Sequence, residues 1–271
     1  MDILKAVIFG IIEGLTEWLP VSSTGHMILA NEWVKMDLSA QFMEMFLVVI
    51  QFGAILAVLV LYFRKLNPFS RKKSPRQKQA TLSLWMKVLC ACVPAGVIGI
   101  LFDDQIDAAF YNFQTVAITL ILYGVLFIVV ENRNRGKVPS IRNFTSLTYQ
   151  TAFLIGIFQV LSLIPGTSRS GATILGAILM GASREIAAEF TFFLAIPVML
   201  GASLLKILKF GFVYSQMEIL VLLSGMITAF LVSIVAICFL MGYIKKHNFK
   251  SFGYYRIALG AIVLLYFGLV H

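Results

Sequence analysis

Glu13 and Glu17 stand four residues apart, on one face of any helix that carries them, in the middle of an apolar run. A carboxylate at the centre of a bilayer costs about 2.5 kcal/mol or more, so it faces a cavity and keeps a partner. The structural alternative is a pair bonded to neighbouring backbone or to lysine, but no lysine lies nearby in the run. Two adjacent carboxylates repel unless a cation sits between them. A divalent ion, Mg²⁺ or Ca²⁺, seeks oxygen ligands and is the natural partner, which makes Glu13 and Glu17 the expected metal ligands. The run Pro20-Val21-Ser22-Ser23-Thr24-Gly25-His26 then reads as a turn followed by a helix start. Ser22 and Thr24 are read equally as helix caps or as phosphate ligands. Ser23 differs, because His26 follows it by three on the same face. A hydroxyl beside an imidazole is the pattern of an activated nucleophile or a proton-transfer pair. His26 is also the one histidine in an apolar region, since His247 lies in a basic loop and His271 is the last residue of the sequence.

A second polar run, Pro165-Gly166-Thr167-Ser168-Arg169-Ser170-Gly171, interrupts another apolar region. An unpaired Arg169 at membrane depth requires a carboxylate, Glu13 or Glu17, or an anionic ligand. Its planar guanidinium suits phosphate. Ser168 and Ser170 flank it as further candidate phosphate ligands. The helix starts after Pro20 and Pro165 add two positive ends with free N–H groups. Two carboxylates, a Ser/His pair, an arginine and two helix N-termini together fit metal-assisted phosphoryl transfer. Gln51, in the middle of an apolar helix, either lines the same cavity or bonds across helices.

The elements that hold these residues follow from composition. The chain has 271 residues, of which 59% are apolar and only 13% charged. Its mean hydropathy is +0.90. Soluble globular proteins carry about 25% charged residues, so this is an integral membrane protein. Six segments reach the ~20 apolar residues a spanning helix needs: 42–63, 82–102, 113–130, 186–208, 217–242 and 252–270. Regions 3–34 and 147–181 are apolar but broken by the two polar runs. Each is expected to be a re-entrant hairpin of two half-helices, because non-helical backbone at that depth is tolerated only beside protein or a wet cavity.

Charge supports the hairpins. Of 22 Lys and Arg, 15 fall in stretches 64–78, 133–142 and 245–256. With both broken regions re-entrant, all three stretches reach the cytoplasmic side, Asp103, Asp104 and Asp107 reach the outer side, and both termini lie outside. This flank patterning also argues against nucleic-acid binding despite the net charge of +9. The two broken regions match each other at an offset of 146: Gly10, Ile11, Leu15, Ser22 and Gly25 fall on Gly156, Ile157, Leu161, Ser168 and Gly171, and Pro20 and Pro165 miss by one. Each is followed by an acid, Glu44 or Glu189, and a full-length helix. The expected fold is an all-α polytopic membrane protein, a single domain 1–271 with a first repeat at 1–130 and a second, inverted repeat at 147–271. Such repeats place a binding site where the broken helices meet.

The remaining signals are structural. Cys90, Cys92 and Cys238 lie in apolar runs with no disulfide or zinc spacing. Arg184, Glu185 and Glu189 read as caps and ion pairs. No nucleotide-binding or zinc-protease motif is present, and the N-terminus lacks the pattern of a removable signal peptide.

The stretch Glu13-Gly-Leu-Thr-Glu-Trp-Leu-Pro-Val-Ser-Ser-Thr-Gly-His26 and the stretch Pro165-Gly-Thr-Ser-Arg-Ser-Gly-Ala-Thr173 resemble the two signatures of the BacA-type undecaprenyl-pyrophosphate phosphatases, a likeness that runs from the first helix to the last. The resemblance implies dephosphorylation of undecaprenyl pyrophosphate, which recycles the lipid carrier of bacterial cell-wall synthesis. It implies divalent-cation dependence, a link to bacitracin resistance, and a plasma-membrane site open toward the outer face. The family's functional acids match Glu13 and Glu17; its serine, histidine and arginine match Ser23, His26 and Arg169. Trp18, where phenylalanine is frequent, is expected only to adjust lipid contact. Attack by Ser23 with His26 as base and activation of water by His26 remain open. A lipid-phosphate transporter is the rival reading, since inverted repeats with broken helices are also a transporter plan. The expected partners are the polyprenyl pyrophosphate and membrane lipid. A homodimer is compatible with the sequence, and no residue demands one.

Overall fold

The computed structural model describes residues 1–270, apart from the side chains of Asp103, Asp107 and Val270. The acids expected outside at 103 and 107, and His271, therefore lie outside the described residues. Among the described residues the regular structure is helical: α1 (Asp2–Thr16), α2 (Ser23–Trp33), α3 (Ala40–Leu61), α4 (Phe63–Leu66), α5 (Pro75–Phe110), α6 (Phe113–Arg133), α7 (Tyr149–Val160), α8 (Arg169–Leu179), α9 (Arg184–Phe210), α10 (Gln216–Ile244) and α11 (Lys250–Val270). One isolated parallel bridge joins Ile141 to Ala182. Among the described residues six helices are long and apolar enough to cross a membrane: α3, α5, α6, α9, α10 and α11. Their starts are set by polar caps. Ser39, Asn112, Ser183 and Ser215 each accept a backbone N–H three residues on. The second span begins at Pro75, earlier than the apolar run suggested. Ser74 and Gln77 cap each other reciprocally there, and Pro75 suits a first helical turn. Arg76 and Lys78 are thus helical.

The two broken regions form helical pairs, α1 with α2 and α7 with α8, and each pair folds back on itself. α1 packs on α10, and α7 packs on α5. Gly10 and Gly156, aligned by the sequence offset, make these approaches: a Cβ at Gly10 would lie 2.6 Å from the Gly225 oxygen, and one at Gly156 2.3 Å from the Ala91 oxygen. α3 crosses α9, and α6 packs along α11. Two ion pairs tie the halves reciprocally: Glu44 of α3 with Lys206 of α9, and Glu189 of α9 with Lys65 below α3. Arg184 pairs with Glu131. These are the ion-pair roles expected for Arg184 and Glu189. Segments 64–78, 133–142 and 245–250 gather at one end, where the Lys65 ammonium also sits 4.7 Å over the Phe144 ring. Arg256 does not belong with them. It is fully buried on α11, between the two broken pairs.

Candidate active site

Both hairpin turns end on a serine forced into positive φ, Ser22 at 74° and Ser168 at 69°, the only non-glycine residues so placed among those described. Such backbone costs roughly 1–3 kcal/mol and persists only where its surroundings over-determine it. Each serine Oγ accepts the N–H of a glycine three residues on, Gly25 at 3.3 Å and Gly171 at 3.2 Å. The next residue begins a helix, so Ser23 opens α2 and Arg169 opens α8. The two N-termini are brought together by contacts between the hairpins.

Glu17 is the meeting point. Its Oε2 accepts the Ser23 hydroxyl at 2.8 Å, and its Oε1 accepts the Arg169 guanidinium at 3.1 Å. The Ser170 hydroxyl donates to the Glu17 backbone oxygen at 3.0 Å. Arg169 also donates to the Thr191 carbonyl at 3.0 Å and lies 6.0 Å over the Trp18 ring. The protein partner expected for Arg169 is therefore Glu17. Glu13 is buried one turn before Glu17, and its Oε1 has no partner among the described residues. The buried Arg169 Nε is likewise free. Buried polar atoms without partners mark places for water, an ion or a ligand. Among the described residues no three His, Cys, Asp or Glu converge as a complete metal cage. Among the described residues the cluster offers two carboxylates, Glu13 and Glu17.

Other expected site residues take different places. Ser23 and His26 do not bond to each other. Ser23 turns to Glu17, and His26 is held elsewhere. The Ser22 carbonyl, which can only accept, lies 2.7 Å from His26 Nδ1, so that nitrogen carries the proton. Nε2 of the neutral ring then accepts the Tyr255 hydroxyl at 2.7 Å, with the two rings stacked at 5.6 Å. Ser22 is wholly buried and acts as a cap. Ser170 is also buried and joins the hairpins, while Ser168 caps α8 and lies 3.1 Å from the Ser170 hydroxyl. Thr24 and Gln51 are half-buried, and Gln51 forms no hydrogen bond to the cluster among the described residues. Trp18 does not face lipid. It is fully buried, edge-on to Phe192 at 5.4 Å, beneath Arg169.

Sequence reasoning missed three residues. Arg256 donates to the carbonyls of Pro20 at 3.3 Å and of Gly166 and Thr167 at 2.9 Å each, while its guanidinium lies 5.5 Å over Tyr123. One side chain thus clamps both turns. Its position six residues into an apolar helix was the available signal. Tyr255, beside it, gave no signal toward His26. Gln159 is buried with both amide atoms unpartnered. It falls 146 residues after Glu13, so the repeat offset would have found it.

Opposite charges brought together by two broken helical pairs, inside a bundle of helices long enough to span a membrane, define a polytopic membrane protein with a buried charged cluster where the pairs meet. The chain belongs to the BacA family: the family model for "Bacitracin resistance protein BacA" matches residues 6–262. It is 66% identical to the undecaprenyl-diphosphatase of Acetivibrio thermocellus over 267 residues, 98% of each chain. It is 61% identical to that of Desulfitobacterium hafniense, over 98% of this chain and 96% of the relative. It is 60% identical to that of Enterococcus faecalis, over 98% and 97%. These relatives favour the enzyme over the transporter reading.

Proposed function

We infer that this chain is an undecaprenyl-diphosphatase, a membrane hydrolase that converts undecaprenyl pyrophosphate to undecaprenyl phosphate and inorganic phosphate. The observation that carries the reading is Glu17 held between Ser23 and Arg169. The polyprenyl tail lies in lipid, and the pyrophosphate enters between the hairpins. Arg169 turns its guanidinium to the terminal phosphate, helped by the N-termini of α2 and α8. Ser23 Oγ attacks the terminal phosphorus and gives its proton to Glu17 Oε2, its bonded partner. The bond from that phosphorus to the bridging oxygen breaks, and undecaprenyl phosphate leaves. Water then hydrolyses the phosphoserine, releasing phosphate and returning the proton to Ser23. His26 shapes the turn through the Ser22 carbonyl and presents Nε2 to Tyr255.

Glu13 and Glu17 are the residues that would hold a divalent cation, Mg²⁺ or Ca²⁺. The unpartnered Glu13 oxygen supports this, and such ions are commonly bound by one or two carboxylates with substrate phosphates and water. When bound, the ion offsets repulsion between the carboxylates and the phosphates. The matched glycines, the twin serine caps and the reciprocal ion pairs support two inverted repeats, 1–130 and 147–271, within one membrane domain. The gathered basic segments support a plasma-membrane orientation with that end in the cytoplasm and the site opening outward. The test is phosphate release from a C15 or C55 polyprenyl pyrophosphate by detergent-purified protein, with and without EDTA. Release that EDTA and Glu17→Ala both abolish is expected. Release that persists in Glu17→Ala would overturn the assignment of the site.

A further inference from the structure

At the end where the basic segments meet, a cavity of about 890 Å³ opens between the C-terminus of α6 with the loop after it, the α8–α9 turn and the α10–α11 junction. Its walls are fixed by bonds that have no part in the site above. Buried Glu131 accepts two bonds from Arg184, at 2.8 and 2.5 Å, and one from the Phe249 N–H at 3.1 Å. That carboxylate ties α6, α9 and the α10–α11 junction together. Ile141 pairs with the α8–α9 turn, its N–H on the Gly181 oxygen at 3.0 Å and its carbonyl on the Ser183 N–H at 2.9 Å.

With Glu131 neutralised by Arg184, the charged lining is Arg133, Arg135, Lys137, Lys245 and Lys250 against Glu185 alone. None of the five cations forms an ion pair among the described residues. A general excess of lysine and arginine on one side of a membrane accounts for basic loops. It does not account for five cations around one walled cavity. The 64–78 segment holds seven Lys and Arg, and none of them lines it.

We propose that this cavity binds a phosphate group, carried by an anionic lipid headgroup or present as the free ion. Two arginines offer planar forks to phosphate oxygens, and three lysines add point charges. Basic pockets between helices at the membrane flank are where anionic headgroups dock. The cavity is separate from the candidate active site. α8 starts at Arg169 in that site and ends at Leu179 on the cavity wall, about 15 Å away at 1.5 Å per residue.

The test uses the full chain with Arg169→Ala, so that phosphate held in the active site does not count. Two triple variants are compared in that background: Arg133→Gln/Arg135→Gln/Lys137→Gln in the cavity wall, and Arg71→Gln/Lys72→Gln/Lys73→Gln in the other basic segment. Both remove three charges from the same end. Inorganic phosphate binding is read by calorimetry. Retention of phosphatidylglycerol against phosphatidylcholine is read by native mass spectrometry, and equal melting temperatures confirm folding. The cavity triple is expected to weaken binding about ten-fold and the other triple less than about two-fold. Loss with phosphatidylglycerol alone identifies the headgroup as the source; loss with inorganic phosphate alone identifies the free ion. Equal loss in both triples, or loss in neither, overturns the proposal. The readout is binding, so it stands or falls independently of the phosphatase reading.

Discussion

The turn at Pro20–Ser22 and the turn at Pro165–Ser168 are built alike. Each puts a serine at φ near +70°, caps the next helix through a glycine N–H, and presents a helix N-terminus to the other. Their side chains differ. The first hairpin carries Glu13 and Glu17 and then Ser23; the second has Gln159 where the first has Glu13, and it brings Arg169. Two matched N-termini would attract an anion from either half. In the proposed function the acids on one half alone make that attraction conditional, because two carboxylates repel phosphate unless Arg169, and the cation proposed above, offset them. On that reading the nearly symmetric backbone would supply affinity and its asymmetric side chains discrimination.

The sharpest break of this comparison is Arg169→Ala, which leaves the acidic half unopposed. We expect kcat to fall about 10²–10³-fold, as when one transition-state donor is removed, measured by phosphate release. Arg169→Lys is expected to recover only part of that, because it keeps the charge and loses the fork. Next is the paired substitution at equivalent depth. Glu13→Gln should raise the Mg²⁺ or Ca²⁺ concentration needed for half-maximal activity, while Gln159→Leu should leave that concentration unchanged. Equal metal dependence in the two variants would show that the halves are not divided as described. Third, Arg256→Met removes the clamp on both turns. Three buried carbonyls lose a charged donor, so we expect a stability loss of about 2–4 kcal/mol by thermal melting, with partial rescue by Arg256→Lys. Last, Tyr255→Phe keeps the stacked ring and removes the hydroxyl from His26 Nε2. An effect of about 1 kcal/mol, a few-fold in kcat, is expected.

Much of this was legible in the sequence because membranes restrict the options. Pro20 and Pro165 in apolar runs, with serine and glycine after them, forced hairpins, and the six spans were found to within a few residues at most ends. The start of α5 was not, since a Ser74–Gln77 cap outweighs the polarity of Arg76 and Lys78. The acids, Ser23 and Arg169 were singled out because charge and hydroxyls at such depth are expensive, and the structure brings Glu17, Ser23 and Arg169 into contact. Their pairing was not: i, i+3 spacing suggested Ser23 with His26, yet Ser23 reaches back to Glu17 while His26 bonds Tyr255, 229 residues away. Trp18 was misjudged because one position in an apolar run does not reveal whether lipid or protein faces it. Arg256 was concealed by its company, grouped with Lys245, Lys246 and Lys250 as one basic flank although one and a half helical turns separate it from Lys250.

That clamp also orders events in time. The helices bearing Glu17, Ser23 and Arg169 all emerge from the ribosome before α11 does. Until α11 enters the bilayer, the carbonyls of Pro20, Gly166 and Thr167 lack their common donor, and the two turns are joined by the contacts of Arg169 and Ser170 with Glu17 but not by Arg256. A nascent chain without α11 would carry the acids, the serine and Arg169 of the candidate site but no clamp on its two turns. The clamp on the two turns therefore closes only once α11 is in place, after both turns have already been made.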